Sequence, residues 1–321
     1  MINFIMNEII RRNFVFGMIS KINIKFLITL ICFAFLGNSI YGNFDSLSNQ
    51  TITSEQILWI LWGGVFSFFS IIINAYAWKL LINNIGCSIN KLNIIKLFLA
   101  TNIYKYLPGG IWHFVSRYKN LRLELSNEKS IESILLEPIL MLVAGFIFIP
   151  FRGFNLPIYI LCWSSTLLFL PTFRQSLIKK LRTMKAKVFT NNDNIKDRDL
   201  AENIQNISTS FFYPYKPLFV EIIFIFFRFI GFLCCVNAFS IGTLISHGEL
   251  ISSFSLAWII GLIVPAAPGG LGVFESVILF SLSSHLPEAP LLASLLCYRL
   301  VSTVSDILAA LIYPVKKIFN V

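Results

Sequence analysis

Charge is what this sequence has least of. Only 13% of its 321 residues are Asp, Glu, Lys or Arg, against 56% hydrophobic, a balance that excludes a soluble globular domain. Metal-ligand clusters are also missing: the three histidines (His113, His247, His285) lie far apart, and no HExxH pair occurs. The six cysteines fall in or beside apolar segments without paired spacing, so they read as small buried hydrophobes. There is no GxSxG elbow and no GxxxxGK[ST] loop. Any transport must therefore run on a gradient or simply equilibrate its substrate, and no cofactor is expected.

What is present is a series of apolar runs, most of them about 17 residues or longer, and 32 phenylalanines, the pattern of an all-α polytopic membrane protein. The net charge of +10 sits in the loops between the runs, where it sets topology and meets anionic head groups, so nucleic acid is not expected as a partner. Arg11, Arg12 and Lys21 precede a first run over 24–41 that resembles a signal sequence but lacks a small-x-small cleavage site. It reads as a retained span with the amino terminus in the cytoplasm. Further spans are expected at 57–82, 131–150, 156–170, 218–240, 249–264 and 289–313, giving seven or eight spans in addition to the broken segments. A basic amphipathic helix and polar linker at 172–210 divide a first half (about 24–171) from a second (about 211–315). The whole of 1–321 reads as one integral membrane domain.

Two places interrupt this plan. Val264 to Ser276, VPAAPGGLGVFES, combines prolines that cannot donate to a helix ladder with glycines that let the backbone turn sharply. Upstream, Pro108, Gly109, Gly110, Ile111 and Phe114 recur with one conservative change as Pro268, Gly269, Gly270, Leu271 and Phe274, at an offset of 160 residues. Irregular backbone survives at membrane depth only where protein buries it or water lines it. Paired breaks at matching positions point to a transporter's central site. The run from 92 to 106 is too short to cross comfortably and carries positive charge on both sides, so a re-entrant hairpin with its tip at LPGG is expected there. Lys316 and Lys317 favour an inside carboxyl terminus, whereas a purely re-entrant second break puts it outside, so parallel and inverted halves both fit.

Ionisable side chains within spans cost roughly 2.5 to 3.5 kcal/mol on insertion scales, which makes each a site candidate. The second half holds Glu221 and Arg228, then Glu275, then Arg299 and Asp306; the first half offers His113, Arg117 and Glu137. Glu221 and Arg228, like Arg299 and Asp306, are seven residues apart on one helix face, about 10 Å along the axis, too far to neutralise each other. Their partners must come from other helices or from a ligand, and arginines facing a cavity with carboxylates suit a lipid head group. Stabilising interhelical ion pairs, and glycines serving helix crossing alone, are the plainer alternatives.

KYLPGGIWHFVSR (105–117), PAAPGGLGVFE (265–275) and YRL (298–300) resemble the signature stretches of the lysylphosphatidylglycerol synthase transmembrane family of flippase-like proteins. The resemblance extends from the second span to the last. It implies a membrane region that moves a phospholipid between leaflets of a bacterial-type inner membrane, with Pro108, Gly109, Gly110, Arg117, Pro268, Gly269, Gly270, Gly272, Glu275 and Arg299 as its functional residues. In two-part synthases a separate cytosolic domain transfers the amino acid; the sequence here ends eight residues after Tyr313, so the translocator part is expected and the transferase is not. Membrane lipids are the expected partners, with a lipid-modifying enzyme or a cell-envelope glycosyltransferase as associate. A non-transport role in modifying a lipid or lipid-linked glycan would need a base, for which His113 with Glu137 is the candidate.

Overall fold

The computed structural model describes residues 37–38, 40–42, 53–87, 89, 92–107, 111–153, 156–170, 213–264 and 270–311. Most of the expected first span, the amphipathic helix and linker of 172–210, and both glycine tips, including Pro108, Gly109, Gly110, Pro268 and Gly269, lie outside these residues. The described residues are helical, with no strand among them.

Helix α1 (Ser54–Asn84) starts at a reciprocal cap: Thr53 Oγ1 accepts the Gln56 N–H at 3.3 Å while Gln56 Oε1 accepts the Thr53 N–H at 2.8 Å. One face of α1 is buried and the other exposes Leu58, Leu61, Trp62, Val65 and Phe69, a surface suited to acyl chains rather than water. Asn93 caps α2 (Ile94–Asn102), which tightens into a 3-10 turn at Ile103–Tyr106 before the first break; α3 (Trp112–Leu121) follows it. Helix α4 (Asn127–Phe148) is capped by Ser126 and contains Pro138, which removes one internal hydrogen bond. The second half contributes α6 (Tyr215–Ala238), α7 (His247–Ile263), α8 (Val273–Leu282) and α9 (Glu288–Leu311).

At the end of the first half, α5 (Leu156–Ser164) is shorter than the span expected over 156–170 and continues only as a 3-10 turn, Ser165–Phe169. The hydroxyls of Ser164, Ser165 and Thr166 donate to the carbonyls of Leu161, Cys162 and Trp163 at 2.8, 2.6 and 2.8 Å. Three consecutive side chains binding the preceding turn compete with the α-helical ladder. Four helices among the described residues are long and apolar enough to cross a membrane: Ser54–Asn84, Asn127–Arg152, Tyr215–Ala238 and Glu288–Leu311. Helices α7 and α8, either side of the second break, fall short of that length.

The halves interleave. Helix α1 packs along α6 and also touches α9, while α4 packs on α6 and α7. The α1–α6 contact is close because both helices carry glycine there: a Cβ on Gly231 would stand 2.6 Å from Ser67 Oγ and 3.1 Å from the Gly63 carbonyl oxygen. The two helices flanking each break fold against one another, α2 on α3 and α7 on α8. A knot of rings fixes the second half: Phe254 lies 5.5 Å from Phe232 and 5.5 Å from Phe274, and Phe232 lies 5.4 Å from Tyr298. That knot binds α6, α7, α8 and α9 into one wall facing the first half.

Candidate functional site

Residues flanking both breaks line one cavity of about 260 Å³ between the halves. Phe114 and Phe274, equivalent positions of the two motifs, both line it. So do Lys105, Arg117, Arg228 and Arg299 among the cations, and Glu137 and Asp306 among the acids. Most of the charged candidates therefore converge, although with the two phenylalanines they come from five different helices and a turn; Glu221 and Glu275 are not in the lining.

Asp306 is the centre of the largest cluster and is fully buried. Its Oδ1 accepts from Asn102 Nδ2 at 2.8 Å and faces Arg228 Nη2 at 3.6 Å; its Oδ2 accepts from the Tyr106 hydroxyl at 2.6 Å and from Lys105 Nζ at 2.8 Å. Asn102, Lys105 and Tyr106 occupy successive turns of the chain as it enters the first break, so they present one polar face. The carboxylate of the last helix thus holds the approach to the opposite half's break.

Arg117, 1% exposed, is held in a second cluster. Its Nη1 donates to both oxygens of Glu137, at 2.7 and 2.6 Å, and its Nε donates to Thr101 Oγ1 at 3.1 Å. The guanidinium lies 3.8 Å from the Phe98 ring centroid and 5.1 Å from that of Trp78, giving the cation an aromatic floor. His113 also lines the cavity, and its Nδ1 has no hydrogen-bond partner among the described residues.

The third cluster forms where the second break re-enters helix. Gly270 and Gly272 have φ of 72° and 80°, left-handed values that favour glycine. Gly272 caps α8, and its N–H donates to Glu275 Oε2 at 2.8 Å, the half of a capping box that a glycine cap permits. Glu275 Oε1 accepts from Arg299 Nε at 2.6 Å. The acid set at the glycine turn by its spacing is thereby joined to α9.

Arg228 and Asp306 meet across helices, while Glu221, on the helix of Arg228, stays apart. Glu221 does not line the cavity, and its Oε1 has no hydrogen-bond partner among the described residues. Four contributors carried no isolated signal in the sequence: Asn102, Tyr106, Trp258 and Tyr298. Lys105, Tyr106 and Tyr298 fall inside the quoted motif stretches, and Asn102 with Tyr106 shows an i, i+4 polar pair at the end of an apolar run. Those two signals could have identified part of the lining; nothing in the sequence marks Trp258.

No curated protein matches the chain in sequence. The sequence model of the family described as "Lysylphosphatidylglycerol synthase TM region" matches residues 22–310, nearly the whole chain. That match takes in both breaks and every charged group of the three clusters, and it agrees with the apolar helices in describing a multi-pass membrane protein. The chain belongs to the lysylphosphatidylglycerol synthase TM region family.

Proposed function

We propose that this protein moves a polar-headed phospholipid between the leaflets of a bacterial-type inner membrane. The observation that carries this reading is the cavity itself: four basic side chains and two acidic ones converge, between otherwise apolar helices, beside residues that flank two related breaks. Intramembrane charge gathered around a cavity is the usual mark of a polar pathway. The glycine turns let a head group approach the backbone, and the broken helices supply unpaired backbone ends. A lipid-modifying enzyme or a cell-envelope glycosyltransferase is the partner this role implies, and the amino terminus lies on the cytoplasmic side.

The alternative, a membrane enzyme acting on a lipid or lipid-linked glycan, has less support. Both oxygens of Glu137, its candidate base, are engaged by Arg117. The test is transbilayer movement of chain-labelled phospholipids in vesicles holding purified protein. Wild type is expected to accelerate exchange between leaflets, and Glu275→Gln and Arg299→Ala are expected to abolish it at unchanged levels of folded protein. Exchange no faster than in empty vesicles, for every lipid class tried, would refute the proposal.

A further inference from the structure

The charges around the cavity do not balance, and the imbalance has a location. Glu137, Asp306 and Glu275 together offer six carboxylate oxygens, and each already has a donor: Arg117 on both oxygens of Glu137; Asn102, Tyr106 and Lys105 on Asp306; Arg299 and the Gly272 N–H on Glu275. Four cations line the cavity against two carboxylates, Glu137 and Asp306, and Glu275 adds a third only through its contact with Arg299. The fourth cation is Arg228, 4% exposed, whose nearest carboxylate contact, 3.6 Å to Asp306, is the longest among these clusters.

Arg228 Nε and Nη1 have no hydrogen-bond acceptor among the described residues. Trp258 Nε1 likewise has none, the Tyr298 hydroxyl stands beside the Arg228 guanidinium with no acceptor for its own proton among the described residues, and all three side chains line the cavity. The Arg228 guanidinium lies 5.7 Å from the Trp258 ring centroid. Buried donors left without acceptors are costly, and a charged one most of all, so this wall is built to receive an acceptor-rich anion. Across the cavity, Asn74 Oδ1 and His113 Nδ1 are buried polar atoms likewise without partners, on the opposite half. An ammonium group, by contrast, would find every carboxylate at the cavity occupied.

We propose that Arg228, Trp258 and Tyr298 form a phosphodiester site, and that the lipid taken is a net anion whose head group carries hydroxyls, of the glycerol or sugar kind, rather than an amine. This inference rests on the translocator reading for its lipid source and deepens it. Arg228 supplies the charge and two free N–H donors on separate edges of its guanidinium, Trp258 and Tyr298 each add one donor, and Asn74 faces the head-group hydroxyls.

Binding and movement are measured separately. The purified full chain in detergent is titrated with phosphatidylglycerol, phosphatidylethanolamine and lysylphosphatidylglycerol, with bound lipid counted by native mass spectrometry, and the same lipids are then followed in vesicles. Phosphatidylglycerol is expected to bind about tenfold more tightly than the lysylated lipid, the size of one charge-assisted hydrogen bond. Arg228→Gln should erase that preference. Trp258→Phe and Tyr298→Phe keep their rings and should each weaken phosphatidylglycerol several-fold, a readout that survives if Arg228→Gln does not fold. Equal or tighter binding of the lysylated lipid, or an unchanged preference in all three variants, would overturn the inference. Inorganic phosphate that competes as well as the lipid would reassign the site to a soluble anion and overturn the lipid part. Anion binding without movement would refute the translocator and leave the site standing, whereas movement indifferent to head-group charge would do the reverse.

Discussion

At the scale of single residues, the Arg117–Glu137 pair shows how much a buried charge depends on its partner. Neither side chain reaches water to any useful extent, so removing one leaves the other uncompensated, at a cost of about 3–5 kcal/mol. Arg117→Gln and Glu137→Gln should each lower the thermal unfolding temperature sharply in detergent, and the double variant should recover part of the loss. Additive losses in that double-mutant cycle would mean the two side chains are not coupled. Asp306 belongs to a different case, because its carboxylate serves several donors at once. Asp306→Asn should leave a folded protein whose first break is released from α9, read as faster proteolysis near Tyr106 and loss of lipid movement; unchanged cleavage would argue that Lys105 and Tyr106 are held otherwise. The charged residues themselves were plain in the sequence, since any ion within an apolar run stands out. Their pairings were not: Asn102 and Asp306 are 204 positions apart, and only folding decides which cross-helix neighbour a side chain meets.

At the scale of elements, the second break is shaped by one backbone requirement. Gly272 combines φ of 80° with an N–H donated to Glu275, so the turn and the start of α8 form one unit. Gly272→Ala should destabilise the protein by roughly 1–3 kcal/mol, the cost of a side chain in a sparsely populated conformation. A melting temperature equal to wild type would show that the turn relaxes without strain. The α1, α6 and α9 spans were legible from their apolar length within three residues or so at each end, because long hydrophobic helices leave little choice of boundary. Helix α5 was not, since hydropathy is blind to hydroxyls that turn inward onto their own backbone, as those of Ser164, Ser165 and Thr166 do. Helix α8 begins at Val273 because the Gly272–Glu275 cap sets it, a start that hydropathy alone does not mark.

At the scale of the whole molecule, the repeat at 160 residues proved more informative than the span count. It brings Phe114 and Phe274 to one cavity and places α2–α3 and α7–α8 in comparable folded-back pairs. The glycine crossing of α1 and α6 belongs to neither pair. Gly231→Val would drive atoms into the Gly63 carbonyl and Ser67, and overpacking of this kind costs typically about 1–3 kcal/mol, so a lower unfolding temperature is expected, with unchanged stability as the contrary result. The crossing has a mechanical consequence as well. Two helices meeting backbone to backbone cannot slide or roll without separating, so α1 and α6 act as a stator, and any working stroke belongs to the hinged pairs on either side. Spin labels on the outer faces of α1 and α6 should then report one fixed separation with and without lipid, while labels on α3 and α8 report two.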